Sequence, residues 1–260
     1  MRDSSLTCLG VGDGWPCAKR NHSSYLYRLG EATLLIDCGE SVSRSYKGTG
    51  LDYNLIDKVF LSHLHCDHVG GFFMFVQGLW LEQREKKLPV YLPANGIAPI
   101  RQMLDTSMIF DELLAFRLQF KPLQAGHPVT TRGVRVTPFP TTHLESLRQR
   151  YQARYPQPFE AFSFLLETDR LRIGHSADLG APEDLEPLVR KPLDLLVCEL
   201  AHFNPQDLFR YLQGRPIKRI VFIHLPQRYR QALKQIRRLG RKMLGGIPFD
   251  FAADGQEYRL

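Results

Sequence analysis

The sequence predicts an α/β fold, a four-layer αββα sandwich that takes residues 1–260 as a single domain. Three observations carry this. Apolar strand-like runs alternate with helical segments in both halves of the chain. Each half contains a hairpin pattern, 25–29 with 32–36 and 162–166 with 171–173. Metal-capable side chains recur just past the ends of apolar runs, where open α/β sheets place their sites.

In chain order, residues 5–9 read as a first strand. The glycine-rich run 10–14 follows it, but without the Lys-Ser/Thr pair of a P-loop or a helical pattern behind it, so it is not a nucleotide cradle. The first hairpin ends at Asp37-Cys38-Gly39-Glu40, where Asp37 reads as a strand-end cap. Residues 42–51 make a helix and turn. The apolar run Lys58-Val59-Phe60-Leu61 is a buried strand that enters Ser62-His63-Leu64-His65-Cys66-Asp67-His68-Val69-Gly70-Gly71. His63 and His65 project to one side of an extended chain. The tighter loop beyond them turns Asp67 and His68 towards a second point. Imidazole and carboxylate donors suit Zn²⁺, Fe or Mn. Four ligands are too many for one catalytic ion with an open position, so two adjacent ions are expected. Cys66 is not needed in this set.

A helix over 72–85 and a strand over 89–92 follow. Residues 96–104 and 107–114 are expected as helices, and 116–120 and 134–139 as strands, the last leading to Thr141-Thr142-His143. The second hairpin runs into Gly174-His175-Ser176-Ala177-Asp178-Leu179-Gly180. A buried strand over 195–198 ends in Glu199-Leu200-Ala201-His202. Asn204 and Pro205 cap and open a helix that stops at Gly214. Residues 219–223 form a strand that delivers His224. Tyr229, Leu233, Ile236 and Met243 then recur at helical spacing among Arg228, Arg230, Lys234, Arg237, Arg238, Arg241 and Lys242, a basic amphipathic helix. Residues 248–251 and the last few close the sheet.

The net charge of +7 favours anionic partners. No apolar run reaches 18 residues, so no membrane span is expected, and Met1-Arg2-Asp3-Ser4 opens straight into strand-like sequence with no signal-peptide core. The five cysteines are scattered without C-x-x-C spacing, which points to reduced thiols and a cytoplasmic protein.

The motif His63-x-His65-x-Asp67-His68 resembles the signature of the metallo-β-lactamase superfamily of metal-dependent hydrolases. Leu9-Gly10-Val11-Gly12-Asp13-Gly14, Arg20-Asn21-His22-Ser23-Ser24, Leu35-Ile36-Asp37-Cys38-Gly39-Glu40 and Ile56-Asp57-Lys58-Val59-Phe60-Leu61-Ser62 resemble more particularly its ribonuclease Z and phosphodiesterase branch. The resemblance implies that His63, His65 and His143 hold one metal, that Asp67, His68 and His224 hold the other, and that Asp178 bridges them. It implies two divalent ions, Zn²⁺ first and Mn²⁺ or Fe as alternatives. It also implies that Asp67 orients the nucleophile and that Asp37 supports the loop from behind. The family more often has Gly and Thr beside the bridging Asp, where this chain has Ala177 and Leu179.

For the leaving oxygen, His202 is the candidate proton donor and Glu199 its orienting partner. His22 is a candidate substrate contact, His175 an alternative catalytic histidine, and His127 has no assigned role. The expected function is a binuclear metal-dependent hydrolase, a phosphodiesterase that attacks a small or unstructured phosphodiester with a metal-bound hydroxide. Ribonuclease Z enzymes usually carry a long tRNA-binding arm between the third His and the bridging Asp. Here residues 144–177 leave no room for one, although Arg148, Arg150 and Arg154 make the interval basic. The alternatives are a tRNA 3′-processing endonuclease without the arm, a lactone, β-lactam or thioester hydrolase, and a metal-holding carrier without turnover. Expected partners are an anionic small-molecule or nucleic-acid phosphodiester and a second copy of the chain as a homodimer, with no membrane.

Overall fold

The computed structural model describes residues 4–260; residues 1–3, and with them the expected leaderless start, lie outside the described residues. The strands are β1 (Ser5–Gly10), β2 (Ser24–Leu29), β3 (Ala32–Ile36), β4 (Lys58–Phe60), β5 (Leu88–Leu92), β6 (Leu118–Pro122), β7 (Val129–Thr131), β8 (Val134–Pro140), β9 (Phe162–Glu167), β10 (Arg172–His175), β11 (Leu195–Glu199), β12 (Ile220–Ile223), β13 (Phe249–Phe251) and β14 (Gln256–Arg259). The helices are α1 (Val42–Gly48), α2 (Cys66–Val69), α3 (Phe72–Leu81), α4 (Ile97–Thr106), α5 (Glu145–Tyr151), α6 (Glu186–Val189), α7 (Pro205–Leu212), α8 (Gln227–Gln231) and α9 (Leu233–Met243).

The chain forms two compact units. The first holds residues up to Gln124 together with Thr131–Gly133 and Ala253–Leu260. Its sheet runs β14-β1-β2-β3-β4-β5-β6, antiparallel up to β3 and parallel from β3 to β6. Leu26, Leu35 and Val59 meet Tyr46 of α1, Phe72 and Phe75 of α3 and Ile100 of α4 in one core. The alternate residues Tyr25, Leu34 and Phe60 are buried as well, the pattern of a sheet covered on both faces. The second unit has the order β13-β12-β11-β10-β9-β8-β7. Its β10 to β13 are parallel, and β9 is antiparallel to both β8 and β10. Leu196, Phe222, Leu188, Leu208, Phe209 and Ile236 share its core.

Several boundaries differ from expectation. The helix expected over 72–85 stops at Leu81. Gln83 takes φ 55°, Arg84 N donates to Leu79 O at 2.9 Å and Gln83 N to Trp80 O at 3.0 Å, which is a Schellman stop without a glycine. Residues 107–114 are not one helix. Met108 at φ 59° ends α4 in the same way, with Ile109 N on Leu104 O at 2.9 Å, and a single 3₁₀ turn, Asp111–Leu113, follows. The basic helix is two, broken at Ala232. The C-terminal strands part company: β13 ends the second sheet and β14 edges the first.

The α3 stop also places Arg84, which is fully buried. Its Nε donates to Lys86 O at 2.7 Å, its Nη2 to Ile56 O at 2.8 Å and Lys87 O at 3.1 Å, and its Nη1 to Tyr53 O. Burial lowers the guanidinium pKa to about 10, so the charge persists at neutral pH. Arg84→Met strands these carbonyls without a donor and is expected to cost about 3 kcal/mol. At 2–4 °C per kcal/mol for a chain of this size, thermal melting should show a Tm lowered by roughly 6–12 °C. A Tm within a degree or two of the parent would contradict this account.

Candidate metal centre

Sheet direction decides which residues can meet. In the first unit β3 and β4 are parallel neighbours, so the residues just past their ends lie side by side. Asp37 follows β3 and Ser62 follows β4. Asp37 Oδ1 accepts from Ser62 N at 2.7 Å, and Asp37 Oδ2 accepts from Ser62 Oγ at 2.9 Å and from His68 Nδ1 at 2.7 Å. Ser62 Oγ in turn stands 3.0 Å from His63 Nδ1. With the Ser62 proton given to Asp37, this network assigns the Nδ1–H tautomer to both His63 and His68. Nε2 is then the lone-pair nitrogen of each ring, as a metal ligand requires. One fully buried carboxylate therefore orients two imidazoles, and Asp37 is more than a strand-end cap.

The stretch after His65 is not all loop. Asp67 and His68 lie on the one-turn helix α2, and His68 Nε2 stands 3.4 Å from Asp67 Oδ2. The rings of His63 and His65 are 4.7 Å apart between centroids, and those of His63 and His68 4.1 Å. Close backbone packing holds this turn. Cys38 N donates to His68 O at 2.7 Å, and a Cβ at Gly39 would lie 2.3 Å from Asp67 O, so only glycine fits there.

In the second unit the same logic gathers the remaining candidates. Because β9 is antiparallel to both neighbours, β8 runs in the direction of β10, and β11 and β12 are parallel to β10. His143, Asp178, Glu199 with His202, and His224 therefore emerge at one end of the sheet. Asp178 Oδ2 lies 3.6 Å from His143 Nε2, 3.8 Å from His202 Nε2 and 3.5 Å from His224 Nε2. These separations are long for hydrogen bonds. They match donors sharing an ion: two ligands of a tetrahedral Zn²⁺ at about 2.0–2.1 Å stand about 3.3 Å apart. Imidazole and carboxylate donors at such spacings fit a divalent cation, and in the first unit His63 and His68 keep the Nε2 lone pair that a metal ligand needs.

Glu199 is buried and its carboxylate is saturated. Oε1 accepts from Leu179 N at 2.8 Å and His202 Nδ1 at 2.7 Å; Oε2 accepts from Ala201 N at 2.7 Å and His202 N at 3.2 Å. His202 is thereby aimed with Nε2 towards Asp178 while its side chain stays about one-third exposed. Of the other histidines, His22 is nearly buried with Nδ1 3.4 Å from Glu40, His175 is wholly buried in β10, and His127 sits in an exposed turn.

Asp37, Ala177 and His224 adopt φ of 60°, 47° and 53°, a left-handed region that side chains avoid. Such strain collects at functional sites. Ala177 stands where the resembled pattern has Gly, and it takes the conformation that Gly would ease.

Three residues that position this centre were not anticipated. Ser62 relays between His63 and Asp37. Ser176 Oγ accepts from Glu199 N at 2.9 Å. Asp184 Oδ2 accepts from Thr142 N at 2.9 Å, Thr142 Oγ1 at 2.9 Å and Gly180 N at 2.8 Å, tying the turn before His143 to the turn after Asp178. Only Asp184 left a trace in the sequence, as an acidic residue two places after Pro182.

The family model described as anti-Pycsar protein Apyc1 matches residues 4–228. Ribonuclease Z of Methanothermobacter thermautotrophicus is 30% identical over 87% of this chain and 88% of its own. Ribonuclease Z of Archaeoglobus fulgidus is 29% identical over 54% of this chain, a match spanning 44% of that protein's length. The metallo-β-lactamase fold protein YhfI from Bacillus subtilis superposes with a TM-score of 0.77 over 99% of both chains at 21% identity, which shows a shared α/β sandwich fold. The chain belongs to the anti-Pycsar protein Apyc1 family, is similar to ribonuclease Z over most of its length and has the metallo-β-lactamase fold.

Proposed function

We propose that the chain is a binuclear phosphodiesterase, in which His63, His65 and His143 hold one divalent ion, Asp67, His68 and His224 the other, and Asp178 bridges. What supports this is the convergence of three imidazole Nε2 atoms on one buried Asp178 oxygen; in the first unit, by itself, His63 and His68 share one orienting carboxylate. On this reading residues 1–260 work as a single hydrolase domain. Zn²⁺ suits the imidazole-rich set best, with Mn²⁺ or Fe as alternatives. When bound, two such ions acidify a shared water and clamp the oxygens of the attacked group. Asp67 orients the attacking oxygen. His202, held by Glu199, gives its Nε2 proton to the departing oxygen. The interval 144–177 contains α5 and the β9–β10 hairpin, which supports a small or unstructured substrate over a folded RNA.

The relative from Methanothermobacter favours tRNA 3′-end processing as a second reading. The experiment is a side-by-side assay of zinc-loaded protein on bis(4-nitrophenyl) phosphate, a precursor tRNA and a chromogenic lactone. Turnover of the phosphodiester with little on the others is expected. Lactone hydrolysis alone would overturn the assignment, and precise tRNA cleavage would favour the second reading. We place the protein in the cytoplasm, supported by five free thiols; no helix of the described residues is long and apolar enough to cross a membrane.

Asp37 gives a test of the metal loop apart from turnover. Asp37→Asn keeps the shape but cannot accept from all of its donors as a carboxylate does. A loss of about 10–100-fold in metal affinity is expected, as for other outer partners of ligating histidines. Competition with a chromophoric chelator measures it, and unchanged affinity would remove Asp37 from the account.

A further inference from the structure

We propose that the first unit carries an oligophosphate-binding pocket at the end of its sheet away from the metal loop, built by Lys58, Lys86, Lys87 and Arg132 over the buried Arg84. Strand direction separates the two places. β3, β4 and β5 are parallel. The metal loop follows the end of β4, whereas Lys58 opens β4, and Lys86 and Lys87 run directly into β5. A cavity of about 320 Å³ lies at these strand starts, and Arg132 reaches it from the turn Thr131–Gly133, which belongs to the first unit.

The charge of this cavity is one-sided. Five cations line it against a single carboxylate, Asp57. That carboxylate is already engaged: Oδ1 stands 2.8 Å from Arg132 Nε, and Oδ2 accepts from Thr33 N at 2.9 Å. Glu85, between Arg84 and Lys86 in the chain, does not line the cavity. The hydrogen-bond partners of Arg84 are backbone carbonyls, which satisfy its N–H groups without neutralising its charge. Lys58 is half-buried and lies over the Tyr91 ring at 5.7 Å, with Lys121 over the same ring at 5.9 Å. Burial lowers the Lys58 ammonium pKa, and Lys121 and Lys87 push the same way against the pull of Asp57. A cluster held together against its own repulsion gains by taking up an anion. Arg132 sits in the hairpin turn at φ 43°, ahead of Gly133 at φ 80°, where Asn or Gly is easier. Its guanidinium is held by Asp57 and stays about half exposed at the rim.

The donors come from three separate segments around a cavity of small-ligand size, which suits a chain of phosphates spanning them. Lysine and arginine are the usual phosphate partners. No described aromatic side chain lines the cavity, so it reads phosphate charge and not a base. Inorganic tripolyphosphate and the triphosphate end of a nucleotide offer the same chemistry.

The test melts zinc-loaded protein with inorganic tripolyphosphate, adenosine triphosphate or citrate, at one ionic strength and with free zinc held constant. Tripolyphosphate at about one hundred times its Kd should raise Tm by about 5–10 °C. Adenosine triphosphate should match it, and citrate should do far less. Lys58→Gln combined with Lys87→Gln should weaken tripolyphosphate binding by about tenfold or more. Turnover of bis(4-nitrophenyl) phosphate by this double variant should stay within about twofold of the parent, because the two sites are separate. Lys58→Gln alone should melt no lower than the parent without ligand, since it removes a repelled cation. A lower Tm there would remove the repulsion on which the pocket rests. A double variant that keeps the full shift places the binding at the metal centre and overturns the pocket, as does an equal shift with citrate. Nucleotide binding about tenfold tighter than tripolyphosphate, lost in the same double variant, would make the nucleotide the occupant of this pocket.

Discussion

Asp178→Ala is expected to lower kcat/KM on a phosphodiester by about a thousand-fold, the several kcal/mol that a metal centre supplies converted at 1.36 kcal/mol per decade. The reason is geometric. Three imidazole nitrogens stand 3.5 to 3.8 Å from the same Asp178 oxygen, so this carboxylate is the one group that each of them faces. Removing it leaves three histidines clustered at one end of the sheet without the carboxylate that they share, and Glu199 serves only His202. Bound metal, measured by mass spectrometry on the purified variant, should fall from two equivalents towards one or none. Asp178 is also nearly buried, so Asp178→Asn is the companion variant that keeps its volume. If either variant held two equivalents and worked within tenfold of the parent, Asp178 would not be the bridge.

What could be read from the sequence divides along a physical line. His143, Asp178, Glu199 and His224 each lie at or just past the end of an apolar run, and a run of that kind ends where a strand leaves the sheet. Their shared end of the second sheet follows from strand direction alone. The four candidates between His63 and His68 were equally plain, because local spacing brings them together. Features set by tertiary contacts were not legible. A helix stop is legible at a glycine such as Gly214, but α3 and α4 end on left-handed Gln83 and Met108, which carry no signal in composition. Ser62 looked like any serine at a strand end until the β3–β4 register set it against Asp37. Asp254 lies far along the chain from Val11 and Asn21, so no window of sequence could pair them. Of the two departures from the family's pattern that were visible, Ala177 is the strained one, standing for the usual glycine and held at φ 47° by its surroundings.

The role of His202 predicts an effect that depends on the substrate. A proton donor matters when the departing oxygen is a poor leaving group and hardly at all when it is 4-nitrophenolate. His202→Ala should therefore lower kcat by about 10²–10⁴-fold on a dialkyl or dinucleoside phosphate, and far less on bis(4-nitrophenyl) phosphate. Metal content should stay at two equivalents, because the seven proposed ligands do not include His202. Glu199→Gln separates positioning from structure. The amide oxygen still accepts from Leu179 N and His202 Nδ1, but its NH2 cannot accept from Ala201 N and His202 N as the second carboxylate oxygen does. It should loosen the aim of His202 and reproduce the leaving-group dependence in milder form, with circular dichroism showing that the fold is kept. A uniform loss across all leaving groups, accompanied by loss of metal, would instead make His202 a ligand. The spacing of His143, Asp178 and His202, whose ligand atoms all lie within 4.8 Å of one another, makes that the alternative to defeat. The contrast between good and poor leaving groups distinguishes the two roles because only proton transfer responds to the basicity of the departing oxygen.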